Sequence, residues 1–160
     1  MAEDLGLGRA TAEWQSGGRF VHTAPSGATY VTDAPAESGA GAPLAGPTPM
    51  ELLLGAVGGC TGVDLVRILT KMRVAVKRLR VTLDGERAAE HPRVYAAVAI
   101  RYELETNPVD PRKVRRAVEL SAKKYCGAAA TLAAVGRVTY HLTYAGETIE
   151  GEVPQGSRRD

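Results

Sequence analysis

Two residues in this chain are best suited to chemistry, Cys60 and Cys126. A thiolate is a nucleophile, and two thiols that meet can pass between dithiol and disulfide. Cys60 stands inside "PTPMELLLGAVGGCTGVDLVRIL", residues 47–69, among Gly55, Gly58, Gly59 and Gly62. Each glycine inside a helix costs roughly 1 kcal/mol against alanine, so the helix is weakest where the thiol sits. Gly58 and Gly62, four apart, let another backbone come close and leave Cys60 accessible. On a helix Cys60 shares a face with Val63, Asp64 and Arg67. Arg67 favours a thiolate and Asp64 opposes it, or the two pair with one another; the net sign stays open. Cys126 falls where one helix ends and another can start, and a helix N-terminus favours a thiolate. Sequence therefore does not rank the two thiols. Burial is the plain alternative for either, since free cysteine is among the most buried residue types.

Glu51 opens the same helix. Nine positions before Cys60, it lies roughly 13 Å away along the axis and on nearly the opposite face. In one chain the two cannot share a site, so a shared site needs a second copy of the chain. The capping box formed with Thr48 explains Glu51 without any chemistry. His22, His91 and His141 fall in no metal or triad pattern. Two cysteines cannot make a zinc site alone, and Cys-x-x-Cys spacing is absent, so no metal and no cofactor are expected. "GAVGGCTG" lacks the Lys-Ser/Thr of a phosphate loop and lies inside a helix, which also excludes a dinucleotide fingerprint.

The positioning elements are legible. "RFVHTAPSGATYVTD" (19–33) predicts two short strands around a turn at 25–27. Residues 34–47, rich in Ala, Gly and Pro, predict a flexible loop. Thr48 as N-cap and Pro49 at the first helical position start a helix over about 49–72. It is apolar on nearly every side, which predicts burial all round as the central strut. Alternating residues over 74–104 predict a hairpin turning at 88–92. Asp110 and Pro111 start a second helix, with Gly127 a kink before "CGAAATLAAV". A last hairpin turns at Ala145–Gly146, and residues 155–160 are expected to fray. The sum is one α+β domain over 1–160, an antiparallel sheet over helices.

Composition narrows the partners. The 160 residues include 44% hydrophobic and 5% aromatic, so the core is aliphatic. A net charge of +2 gives no electrostatic case for nucleic acid. The basic runs at 77–80 and 111–124 read as a solvated strand end and helix face. Glu51, Asp64 and Arg67 interrupt the apolar stretch, which argues against a membrane span. The N-terminus has no basic region followed by an apolar run, so the expected location is the cytoplasm.

Three segments, "PTPMELLLGAVGGCTGVDLVRILTKM", "RVTLDGERAAEHPRVYAAVAIRYEL" and "VRRAVELSAKKYCGAAATL", resemble the osmotically inducible protein C and organic hydroperoxide resistance (OsmC/Ohr) family. The resemblance covers roughly residues 15 to 144. It implies an OsmC-like fold, an intertwined homodimer with long central helices wrapped by antiparallel sheets. It implies a peroxidatic Cys60 that becomes a sulfenic acid with an organic hydroperoxide, and a resolving Cys126 that closes a disulfide. A small dithiol or thiol-disulfide partner would restore the thiols. The family's glutamate maps onto Glu51, and the arginine it orients has its nearest candidate in Arg19 of "GGRF". Asp64 and Tyr125 lie beside the two cysteines. Thr61 stands where the peroxidases carry an aromatic residue, and Gly127 where proline is common. Cys60-x-x-x-Asp64 resembles a less characterised branch of the family. The alternative function is a non-catalytic protein binding an apolar small molecule or thiol conjugate in the dimer-interface cleft. A third is a structural dimer with buried cysteines.

Overall fold

A computed structural model describes residues 8–35 and 43–155 of the chain. The chain forms two compact units, Met1–Leu53 and Leu54–Asp160. In the first, β1 (Thr11–Ser16), β2 (Arg19–Thr23) and β3 (Thr29–Thr32) form an antiparallel sheet in that order. The β2–β3 hairpin turns where expected, with Gly27 at φ +85°, a conformation that glycine adopts freely. Sequence missed β1, because all six of its residues are exposed and leave no apolar alternation to read. Of the expected loop, residues 36–42 lie outside the described residues, and 34–35 and 43–47 carry no helix or strand. Most of the expected frayed tail, 156–160, also lies outside them.

Helix α1 (Pro49–Lys71) begins in the first unit and continues through the second. The second unit then runs β4 (Val76–Arg87), β5 (Tyr95–Thr106), α2 (Pro111–Leu120), a π-helical turn (Ser121–Tyr125), α3 (Gly127–Ala133), β6 (Arg137–Tyr144) and β7 (Glu147–Glu152). The sheet order is β4-β5-β6-β7. The two hairpins are antiparallel as expected, and the second turns through Ala145 and Gly146, both at positive φ. The pair that joins them, β5–β6, is parallel. A parallel pair needs a long crossover, and α2 to α3 supply it. The core sits on one sheet face, where Val98, Ile100, Val138, Leu142 and Ile149 are buried along with Val114, Ala117, Val118 and Leu132 of the helices.

The expectation that α1 is buried all round does not hold in the single chain. Only Val57, Thr61, Leu65 and Leu69 are buried, each four residues after the last, as one narrow stripe. Val63 and Val66 are 48% and 39% exposed. By length and hydropathy α1 would suffice to cross a bilayer. It packs instead as a protein helix, with Gly58 against Leu83 and Gly62 beside Val81 of β4.

Candidate active site

Cys60 lies near the middle of α1, and Asp64 follows one turn later on the same face. Cys126 comes from a different part of the chain. α2 gives way to the π-helical turn, closed by a bond from the Cys126 N–H to the Ser121 carbonyl at 3.0 Å. Cys126 then takes an extended backbone, φ −74° and ψ 94°, before α3 begins at Gly127. The expected kink thus lies one residue earlier, at the cysteine itself. Single π-turns are frequent at functional sites. Here the joint brings the Cys126 sulfur, the Cys60 sulfur and an Asp64 carboxylate oxygen all within 4.8 Å of one another. Cys60 and Asp64 are half-buried and Cys126 is buried.

A chain of hydroxyls stands behind this cluster. Ser121 Oγ donates to Asp64 Oδ2 at 3.5 Å. Thr61 Oγ1 bridges Ser121 Oγ at 3.0 Å and the Tyr102 hydroxyl at 2.6 Å. Sequence reasoning did not single out Ser121 or Tyr102 for the site, and marked Thr61 only as a departure from the family pattern. One signal was available for Ser121, which continues the apolar stripe of Val114, Ala117 and Val118 as a lone hydroxyl on the core face.

Burial dominates the electrostatics. It pushes the Cys126 thiol up to about 12, and a hydrogen bond with Cys60 and the nearby Asp64 charge add to the rise. The Ala129 N–H, 3.4 Å from Cys126 Sγ, pulls the other way. The helix N-terminus that sequence credited to Cys126 is present, but α3 has seven residues and its pull loses to desolvation. Burial also raises the Asp64 carboxyl from its ordinary value, opposed by Ser121 and by Arg67. Tyr102 is held up at about 12 by burial first.

Glu51 and Arg19 have partners of their own. Glu51 Oε2 accepts from the Thr48 N–H at 2.7 Å and from its hydroxyl at 2.9 Å, and Thr48 Oγ1 accepts from the Glu51 N–H at 3.3 Å. That is a complete capping box. The Thr48 N–H is the main reason the Glu51 carboxyl sits below its ordinary value. Arg19 holds Asp33 Oδ2 through Nε at 3.3 Å and Nη2 at 3.2 Å. Asp33 also accepts from the N–H groups of Ala34 and Ala45. Sequence reasoning had no role for Asp33. Tyr125 is half-exposed, with the Lys124 ammonium 5.4 Å from its ring centre.

Two concavities flank α1 in the second unit. An open groove of about 730 Å³ runs along Gly55, Gly59, Val63, Val66, Leu79 and Leu83. Among the described residues, a Cβ added at Gly55 or Gly59 meets nothing within 4 Å beyond the helix's own backbone, whereas one at Gly58 would come 2.7 Å from Leu83 Cδ1. The glycines therefore serve two sides. Gly58 admits the chain's own sheet, and Gly55 and Gly59 border open space. A second cavity of about 420 Å³ lies beside Asp64, lined by Arg67, Lys71, Arg116, Ile68 and Tyr125.

Comparison with known proteins bears on the family and the fold. Residues 39–141 match the family described as OsmC-like protein. Protein YhfA of Escherichia coli K12 is 35% identical over 132 residues, covering 82% of this chain and 94% of its own. A hypothetical protein from Aquifex aeolicus has a similar solved structure, with a TM-score of 0.70 at 27% identity, covering 87% of this chain and 98% of its own. The organic hydroperoxide resistance protein OhrB of Bacillus subtilis shares the fold at 16% identity, TM-score 0.58, over 87% of this chain and 99% of its own. The glycine-flanked cysteine, the long helix and the Tyr-Cys joint had pointed the same way, and the chain belongs to the OsmC/Ohr family.

Proposed function

We propose that the protein is a thiol-dependent peroxidase that reduces organic hydroperoxides with Cys60 and Cys126 as its redox pair. One observation carries the reading. Two sulfurs from distant parts of the chain lie within 4.8 Å, one half-exposed and one buried. The Cys60 thiolate attacks the terminal oxygen of the hydroperoxide. The O–O bond breaks, sulfur keeps the hydroxyl as a sulfenic acid, and the alkoxide takes a proton and leaves as the alcohol. Cys126 sulfur then attacks Cys60 sulfur, the S–O bond breaks, and the hydroxide leaves as water with the Cys126 proton. A small dithiol or thiol-disulfide partner returns two electrons through exchange. This chemistry suits the cytoplasm, where thiols are kept reduced.

The functional unit in this reading is a homodimer. The exposed Val63 and Val66 and the open Gly55 and Gly59 offer an apolar face for a second copy. Helix geometry puts Glu51 on the face away from Cys60, so any role for Glu51 in this site comes through the second copy, and Arg19 enters only as the arginine that the family resemblance assigns to Glu51. The aliphatic groove of about 730 Å³ favours one alternative, a non-catalytic protein that binds an apolar molecule or thiol conjugate there.

The test is intact mass after one equivalent of cumene hydroperoxide. The wild type is expected to lose two hydrogens, and Cys126→Ser to gain one oxygen that a sulfenic-acid trap captures. Dithiothreitol consumption should vanish in Cys60→Ser. An unchanged mass in the wild type, or undiminished turnover in Cys60→Ser, would sink the peroxidase. Ligand-dependent thermal stabilisation without a mass change would support the binding protein.

A further inference from the structure

We propose that Cys60, Asp64 and Cys126 of the reduced protein form a binding site for one thiophilic divalent cation, Zn2+ above all. Two cysteines alone could not make such a site, and the fold supplies the third ligand. Cys60 and Asp64 are at i and i+4 of α1, the spacing at which two side chains of one helix face can hold a common ion. Cys126 closes the triangle from the π-helical joint, and the three ligand atoms lie within 4.8 Å of one another. With Zn–S of about 2.3 Å and Zn–O of about 2.1 Å, a tetrahedral ion asks for ligand atoms roughly 3.5 to 3.8 Å apart. Small side-chain rotations span that difference.

The surroundings fit as well as the ligands. Metal ligands are usually oriented by hydrogen bonds from neighbouring groups. Ser121 holds Asp64 through Oδ2, leaving Oδ1 for the ion, and Thr61 and Tyr102 fix Ser121 in turn. The Ala129 N–H points at Cys126 Sγ and would support it as a thiolate. Two thiolates and one carboxylate against a divalent ion leave one negative charge, and Arg67 stands near enough to Asp64 to offset it. A coordinated thiol is deprotonated outright. Each thiol gives up its proton as its bond to the ion forms. Three protein ligands leave a fourth position for water or an incoming thiol.

Occupancy and oxidation exclude each other, because a disulfide removes both sulfur ligands. The ion would cap Cys60 against peroxide, and formation of the disulfide would expel it. The site does not rest on the peroxidase reading, since a chain inert to hydroperoxides would still coordinate.

The test is a Co2+ titration of the full chain, reduced with a phosphine and desalted. Thiolate-to-metal charge-transfer and tetrahedral visible bands should saturate at one ion per chain, with proton release, and Zn2+ should bleach them. Carboxamidomethylation of Cys60 in the wild-type protein should abolish the bands. Asp64→Asn should weaken binding at least about 10-fold, and Ser121→Ala by about 10-fold, the size typical of an orienting partner. The Ser121 variant keeps all three ligands and decides the matter if Asp64→Asn does not fold. Absence of charge-transfer bands in the folded wild type would overturn the site. So would bands that survive alkylation, binding unchanged in a folded Asp64→Asn, or, where that variant does not fold, binding unchanged in Ser121→Ala.

Discussion

Side chain by side chain, the two cysteines are unequal, and the inequality sets an order of reaction. Cys126 is 3% exposed and burial pushes its thiol up to about 12, so at pH 7 it is held as the thiol. Cys60 is half-buried. Iodoacetamide should therefore modify Cys60 well before Cys126 in the native protein, as read by peptide mass. Equal rates at both would contradict the buried placement of Cys126. Behind them, Thr61 is a buried hydroxyl that satisfies both Tyr102 and Ser121. Thr61→Val should cost about 1–3 kcal/mol, because two buried polar groups lose a partner. A urea midpoint equal to wild type would show that the chain of hydroxyls is not needed for stability. The candidate nucleophile was legible in the sequence because a cysteine among glycines is conspicuous. Ser121 and Tyr102 were not, because they meet Thr61 only through contacts 60 and 41 residues apart.

Among the elements, α1 shows how a local rule can mislead. Apolar composition on every side predicts burial on every side, yet a single chain covers only the stripe through Val57, Thr61, Leu65 and Leu69. The pattern encodes every surface the helix meets, including any outside its own chain. Gly59 separates the two cases. In an isolated chain Gly59→Ala should stabilise α1 by up to about 1 kcal/mol, since among the described residues nothing outside the local helix backbone lies within 4 Å of the added carbon. If a second copy packs on this face, the bulkier Gly59→Leu should break association, seen as a fall in mass by sedimentation. A dimer that tolerates leucine there would move the proposed interface elsewhere. The π-helical turn was equally hidden. Its sequence, "SAKKY", has no breaker, and the departure shows only as the Cys126 N–H reaching back five residues.

Across the whole molecule, the β2–β3, β4–β5 and β6–β7 hairpins were legible because their contacts are local and their turns carry glycine or proline, whereas β1–β2 was not, because exposed β1 has no apolar alternation. The parallel β5–β6 pair was not, because a helical crossover separates its strands. In the first unit Asp33, alongside Glu51, contributes to the link to pH. The Ala45 N–H above all, with the Ala34 N–H and Arg19, holds its carboxyl below the ordinary value. A depressed folded value means this stabilisation is present above about pH 4 and fades as pH falls through the folded value. Asp33→Asn should flatten the acid limb of the stability curve, followed by circular dichroism from pH 6 to pH 2. An unchanged acid limb would remove Asp33 from the account. In the second unit the proximity of Cys60 and Cys126 has a mechanical meaning as well. A bond between them would close a loop of roughly 66 residues and remove about 4 kcal/mol of freedom from the unfolded chain. The oxidised protein would then melt at a higher temperature than the reduced one, and the recent history of exposure to oxidant would be written into its resistance to heat.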